Sequence, residues 1–238
     1  MQASEKYAGQ LAPHYHDSSE EEPVFRKKQA RMFRSDFIEM FSKVHPVVPA
    51  LLFVPVMCWF AYHGWLGQGV LAWVGSFLGG FVAWTLTEYV LHRTVFHIRL
   101  RGPVSKFLYF YSHGIHHQYP DDYYRLVMVP AVSVPLAFLF YTAFRLTLPD
   151  AVAHTAFAGF ALGYLGYDYI HFATHHLKPP RARVLAPLAH LFRVARKRHM
   201  LHHFDDHGRG YGVSMSLWDH VFGTHDPRSA DVRSPADQ

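Results

Sequence analysis

Residues 70–97 read VLAWVGSFLGGFVAWTLTEYVLHRTVFH. Up to Leu91 the stretch is mostly apolar, and Glu88 is its one charged residue. A helix needs about 20 predominantly apolar residues to cross a bilayer core, and 70–91 supplies them. The character then changes within one turn. His92 follows Glu88 by four residues, and His97 comes five residues later. A carboxylate deep in an apolar span needs a partner, and the adjacent imidazole offers one. The stretch predicts a membrane-crossing helix that ends on metal- or proton-binding side chains.

Three more apolar stretches occur, at 46–62, 126–144 and 151–170, the first carrying several prolines. Charged residues are only 17% of the chain, below the usual quarter of a soluble domain. The expected fold is an all-α integral membrane protein of about four transmembrane helices. Four spans place the N-terminus, 92–125 and the C-terminal segment on one side. The other side holds only the connections 63–69 and 145–150, and of 23 Lys and Arg residues only Arg145 falls there. By the positive-inside rule the larger side, a helical cap, is cytosolic. The net charge of +5 fits a membrane surface, with no nucleic-acid partner expected. Residues 1–23 and 226–238 read as disordered polar tails around a membrane domain at 24–225. The N-terminal stretch lacks the apolar core of a signal peptide. Segments 24–45 and 184–195 mix basic and large apolar residues, the pattern of interfacial helices.

The histidines follow the basic side. HGIHH at 113–117 and HMLHH at 199–203 repeat one spacing, and positions i, i+3 and i+4 share a helix face. His92 and His97 close the second span, and His171 and His175 close the fourth. The ten residues His92, His97, His113, His116, His117, His171, His175, His199, His202 and His203 therefore converge on one membrane face. With Cys58 the lone cysteine, no thiolate cage is available, so a metal would be held by histidine and carboxylate. Ten neutral imidazoles supply about five ligands to each of two ions. The five-residue spacing of His92 and His97 does not fit one α-helical face, so the helix is expected to end or loosen between them.

Glu88 lies four residues before His92 and Asp168 three before His171, so each is a candidate to receive the second ring N–H of a ligand. Asp121, Asp122, Arg125, Asp205, Asp206 and Asp219 are weaker candidates. His176, His190, His207 and His220 lie near the clusters without belonging to their spacing. His14, His16, His45, His63, His154 and His225 read as structural or surface residues. No zinc-protease H-E-x-x-H, phosphate loop or nucleophile elbow occurs. No catalytic residue beyond the metal ligands is indicated. The donor set admits zinc and hydrolysis, or iron and dioxygen chemistry; spacing alone does not choose.

The order H-x4-H, H-x2-HH, H-x3-H, H-x2-HH resembles the fatty acid hydroxylase superfamily of integral membrane enzymes. AWTLTEYVLHRTVFH (83–97), HGIHHQYPDDYYRLVMVP (113–130), GYDYIHFATHH (166–176) and RHMLHHFDDHGRGYGVSMSLWDHVFGT (198–224) carry the resemblance. It covers about residues 33–225, with the 2-hydroxylase branch the nearest. It implies a di-iron monooxygenase that hydroxylates the acyl chain of a fatty acid or ceramide at the 2-position, with O2 as cosubstrate. It also implies that the ten histidines are the ligands of two Fe ions, which Zn can replace in purified protein.

Many eukaryotic members carry a fused haem-binding cytochrome domain, for which this chain has no room. The electron donor is then expected to be a separate b-type cytochrome or ferredoxin with its reductase. The missing domain points to a bacterial inner membrane. The basic run RVARKRH at 193–199 serves positive-inside anchoring, donor docking, or both. Rival readings are a desaturase, sterol oxidase or carotenoid hydroxylase of the same superfamily, and a membrane metal transporter. A transporter would place ligands near the bilayer midplane, whereas these lie past the span ends.

Overall fold

A computed structural model of the chain describes residues 31–97 and 109–230, and every regular element in them is helical. A short α1 (Asp36–Met40) precedes α2 (Val47–Leu66) and α3 (Val70–Val90), which runs on as a π-helical turn, Leu91–Phe96. A second π-helical turn, Phe110–Gly114, opens into α4 (Ile115–Gln118). Then come α5 (Pro130–Thr147), α6 (Asp150–His176), α7 (Ala186–Phe204) and α8 (Leu217–Val221).

The long α6 is the axis, and α2, α3 and α5 pack around it. Its buried face alternates small residues with rings. Phe157, Phe160 and Tyr164 form an aromatic core with Phe53 of α2 and Trp84 of α3. Where α3 crosses α6 both helices present glycine. A Cβ at Gly80 would overlap the Ala156 carbonyl, and one at Gly159 would overlap the Phe77 carbonyl. Small residues at such crossings let membrane helices approach backbone to backbone.

Three helices are long and apolar enough to cross a membrane: Val47–Leu66, Val70–Phe96 and Tyr123–Thr147. Only 17% of each apolar window is buried within the chain, so the large outward residues, Leu71 and Phe138 among them, need an apolar surrounding. The fourth stretch expected to span, 151–170, is helical but is not among these three. At 27 residues, about 40 Å, α6 has the length. Most of its apolar residues, however, face the other helices, and it carries Asp150, His154, Thr155 and Asp168. A helix enclosed by protein and a helix facing lipid look alike in a window of apolar residues.

The bundle has two distinct ends. At one, the connections 67–69 and 148–149 meet, with Gln68 Nε2 donating to the Ala151 carbonyl at 3.2 Å. Both α3 and α6 start there and run to the other end, where their last turns carry the histidines. Val184, Leu188 and Leu191, in the 184–195 segment read as interfacial, are exposed, as are Phe37 of α1 and Phe41 just after it. The tail 1–23, residues 24–30 and residues 231–238 lie outside the described residues. Within the segment read as a C-terminal tail, Pro227–Ala230 forms a 3₁₀ turn, and Arg228 pairs with Asp205 and Asp226.

Candidate metal centre

The end of α3 resolves the five-residue spacing. In the π-helical turn the backbone N–H of His97 bonds the carbonyl of His92 at 3.2 Å. Such a turn bonds residues five apart where an α-helix bonds residues four apart, and π-turns recur at functional sites. It brings both rings to one side: Nε2 of His97 lies 3.3 Å from Nε2 of His92. The second π-helical turn ends beside His113, whose Nε2 is 3.1 Å from that of His92.

The structure brings the ten histidines into two groups of five. One holds His92, His97, His113, His117 and His202; the other holds His116, His171, His175, His199 and His203. Within each group one ligand atom per residue lies within 4.8 Å of all the others. The sequence clusters are thus divided. HGIHH gives His113 and His117 to one group and His116 to the other, and HMLHH gives His202 to the first and His199 and His203 to the second. All but His175 are buried.

Backbone carbonyls orient three of the ten rings. Nδ1 of His92 meets the Tyr211 carbonyl at 2.6 Å, Nδ1 of His202 the Arg209 carbonyl at 2.7 Å, and Nδ1 of His171 the Leu126 carbonyl at 3.0 Å. A carbonyl only accepts, so each Nδ1 carries the hydrogen, and the neutral ring turns a bare Nε2 lone pair inward. Those lone pairs meet other nitrogens. Nε2 of His116 lies 2.9 Å from Nε2 of His171 and 3.0 Å from Nε2 of His203. One N–H there could serve only one neighbour. Both ring nitrogens of His117, and Nδ1 of His116, His199 and His203, are buried without a hydrogen-bond partner. Nitrogens about 2.1 Å from a common ion and at right angles lie about 3.0 Å apart. The spacing, the inward lone pairs and the orphaned nitrogens fit two histidine-bound ions.

Burial holds these rings neutral, the state that ligates. It pushes His113, His116, His117, His199 and His203 far below the ordinary histidine range, with neighbouring imidazoles adding to the effect. His202 is pushed down to about 4 by burial, against the opposing pull of the Arg209 carbonyl.

The two carboxylates expected against the ligand rings stand one step further out. Glu88 accepts from Ser214, through the backbone N–H at 2.8 Å and through the hydroxyl. Asp168 accepts from the Met128 N–H at 3.4 Å. Asp219, a weaker candidate by sequence, is fully buried and takes the backbone N–H groups of Tyr211 and Gly212, both at 2.9 Å. Arg125 bonds Asp122 and Glu39 in a buried network. The carbonyls of Leu126, Arg209 and Tyr211 are not legible in the sequence, because a carbonyl has no side-chain signature, and Glu39 lies far from every histidine cluster along the chain. The glycines of GRGYG, residues 208–212, were the available signal. Gly210 has φ +71°, and a Cβ at Gly212 would overlap the Met215 carbonyl. His207 sits with its ring 5.0 Å from that of His117 but outside both groups. His190 and His220 are exposed, and His176 packs on Phe172 and Tyr123.

Beside the second group a cavity of ≈ 460 Å³ opens. His116 and Arg125 line it, and Phe33, Ile38, Phe41 and Val129 make its wall apolar.

The fatty acid hydroxylase family model matches residues 77–224, the part of the chain that carries all ten histidines. The chain belongs to the fatty acid hydroxylase family. This hydroxylase is 33% identical to a dihydroceramide fatty acyl 2-hydroxylase of Arabidopsis thaliana, over 85% of this chain and 83% of that one. It is 34% identical to the fatty acid 2-hydroxylase of Rattus norvegicus, over 94% of this chain but 63% of the rat protein. The solved structure of full-length scs7p, in which only the hydroxylase domain is visible, superposes with a TM-score of 0.74. That comparison has 32% identity and covers 85% of this chain and 75% of the other. Family membership makes the chain an oxidoreductase and identifies its substrates as lipids.

Proposed function

We propose that this chain is a membrane di-iron monooxygenase that hydroxylates the acyl chain of a fatty acid or ceramide at its 2-position. The observation that carries this reading is the pair of five-histidine groups beside an apolar cavity, at one end of helices long and apolar enough to cross a membrane. The relatives' names, 2-hydroxylases of fatty acids and dihydroceramides, supply the substrate class and the position. Two irons, when bound, would supply activation of O2 for insertion into an unactivated C–H bond. All ten histidines are proposed as their ligands, five to each ion, and zinc would occupy the same nitrogens in purified protein.

The chain's own residues do the rest. The carbonyls of Leu126, Arg209 and Tyr211 hold His171, His202 and His92 with Nε2 inward. Phe33, Ile38, Phe41 and Val129 bind an acyl chain by excluding water and align it toward His116. A four-span topology with a cytosolic histidine cap is proposed from the one-sided Lys and Arg pattern. Electrons are proposed to come from a separate b-type cytochrome or ferredoxin that docks on the basic face of α7 around Arg193, Arg196 and Lys197. The relatives reported above come from a plant and a rat, so they lend no support to a bacterial inner membrane.

The test is lipid mass spectrometry on cells expressing this chain or its His202→Ala variant. Gain of one oxygen on acyl chains, absent in the variant, supports the reading. Loss of two hydrogens would make the chain a desaturase.

A further inference from the structure

Resting on the dimetal reading, we propose that Glu88 and Asp168 are positioning residues of two separate clamps, one for each ion. Each acts through a loop, taking hydrogen bonds from Ser214 or Met128 and not from a ligand ring.

The first clamp fastens residues 209–214. Glu88, buried in α3, takes the Ser214 N–H at 2.8 Å and the Ser214 hydroxyl. Asp219 takes the N–H groups of Tyr211 and Gly212, and Arg198 Nη2 donates to the Val213 carbonyl at 2.8 Å. Residues 211–214 are therefore each tied to a buried charged side chain. From this loop the carbonyls of Tyr211 and Arg209 hold His92 and His202, both members of the first group.

The second clamp uses a different part of the chain. Asp168, on α6, takes the Met128 N–H, and the Leu126 carbonyl two residues earlier holds His171 of the second group. The logic is the same in both. A carboxylate lies one helical turn before a histidine, on the same face. It grips a loop whose carbonyl reaches the Nδ1–H of that histidine. Interposing a peptide fixes the tautomer without placing a full negative charge against the ring. The clamps share no residue, so each should govern one ion.

The experiment uses the full chain in detergent, loaded with zinc, and follows release to a chromogenic chelator. Wild-type protein is expected to release two equivalents slowly. Glu88→Ala should release one equivalent at least ~10-fold faster and leave the other unchanged. Asp168→Ala should do the same, and the double variant should release both quickly, since the two substitutions free different ions. Glu88→Gln and Asp168→Asn keep an acceptor for each N–H, and Gln can also pair with the Ser214 hydroxyl. Both should behave as wild type. A wild type that does not hold two equivalents overturns the dimetal reading itself. Two equivalents in wild type, but acceleration of both or neither in Glu88→Ala, overturns the clamps. Amide variants as leaky as the alanine ones would assign the effect to charge and overturn the clamps as well. Should Glu88→Ala fail to fold, Ser214→Ala strips one of the two donors. It should still accelerate one equivalent, and unchanged release would contradict the proposal.

Discussion

His97 bonds back to the carbonyl of His92, five residues away, inside a π-helical turn. That bond is what lets two histidines with no shared α-helical face belong to one group, while His116 belongs to the other. Under the dimetal reading, His97→Ala and His116→Ala remove ligands of different ions. Each variant is expected to lose about one equivalent of bound metal, with turnover reduced at least ~100-fold, the upper end of what even an outer partner costs. Metal analysis of the two purified proteins, and of their double variant, checks the division.

The crossing of α3 and α6 has no space for a Cβ at Gly80 or Gly159, because the obstacle is backbone in both cases. Gly80→Ala and Gly159→Ala should each destabilise the folded state by about 1–3 kcal/mol, the usual range for overpacking. A thermal melt in detergent reads the effect. An alanine at Gly75, where a Cβ meets nothing, should leave the melt unchanged.

Glu39 joins α1 to the bundle. It accepts the N–H groups of Met32 and Phe33, both at 2.9 Å, and pairs with Arg125, whose side chain is 3% exposed. Burial raises its pKa, but those N–H bonds, Arg125 and Lys43 together outweigh burial, and its carboxyl sits below the ordinary glutamate range. A depressed carboxylate contributes stability that is present above the unfolded value, about 4.3, and disappears as pH falls through the folded one. Stability should drop below about pH 4, and Glu39→Gln should flatten that part of the profile. Arg125 keeps Asp122, so the loss at neutral pH should fall at or below the low end of the roughly 3–5 kcal/mol for breaking a buried pair.

Val129 lines the cavity beside His116 and Arg125. Val129→Phe narrows it without touching either histidine group. The KM for long acyl substrates should rise roughly tenfold, about 1.4 kcal/mol of lost binding, with metal content unchanged. Kinetics on a chain-length series separates this from loss of fold, which would lower kcat for every length.

Helices were legible in the sequence wherever apolar residues ran long, and the apolar windows located α2, α3, α5 and α6. They did not distinguish α6, enclosed by its neighbours, from the helices that face outward, because both are apolar and only packing tells them apart. Family membership was legible from the order of the histidine boxes. The division of those boxes into two groups was not, since it depends on how α4 and α7 face each other across the site. The roles of Glu88, Asp168 and Asp219 were half visible. Their position one turn from a ligand marked two of them, but the sequence pointed at the rings, and the structure shows them gripping the loops that hold the rings.

The central claim is insertion of an oxygen atom from O2 into an acyl chain next to its carbonyl. The most direct measurement supplies iron-loaded protein, in bilayers containing ceramide, with a reductant and isotopically labelled O2, then locates the label by fragmentation mass spectrometry. Label on the acyl carbon beside the carbonyl is the predicted result, absent in His202→Ala. An acyl chain that has lost two hydrogens, or oxygen that carries no label, would contradict the account.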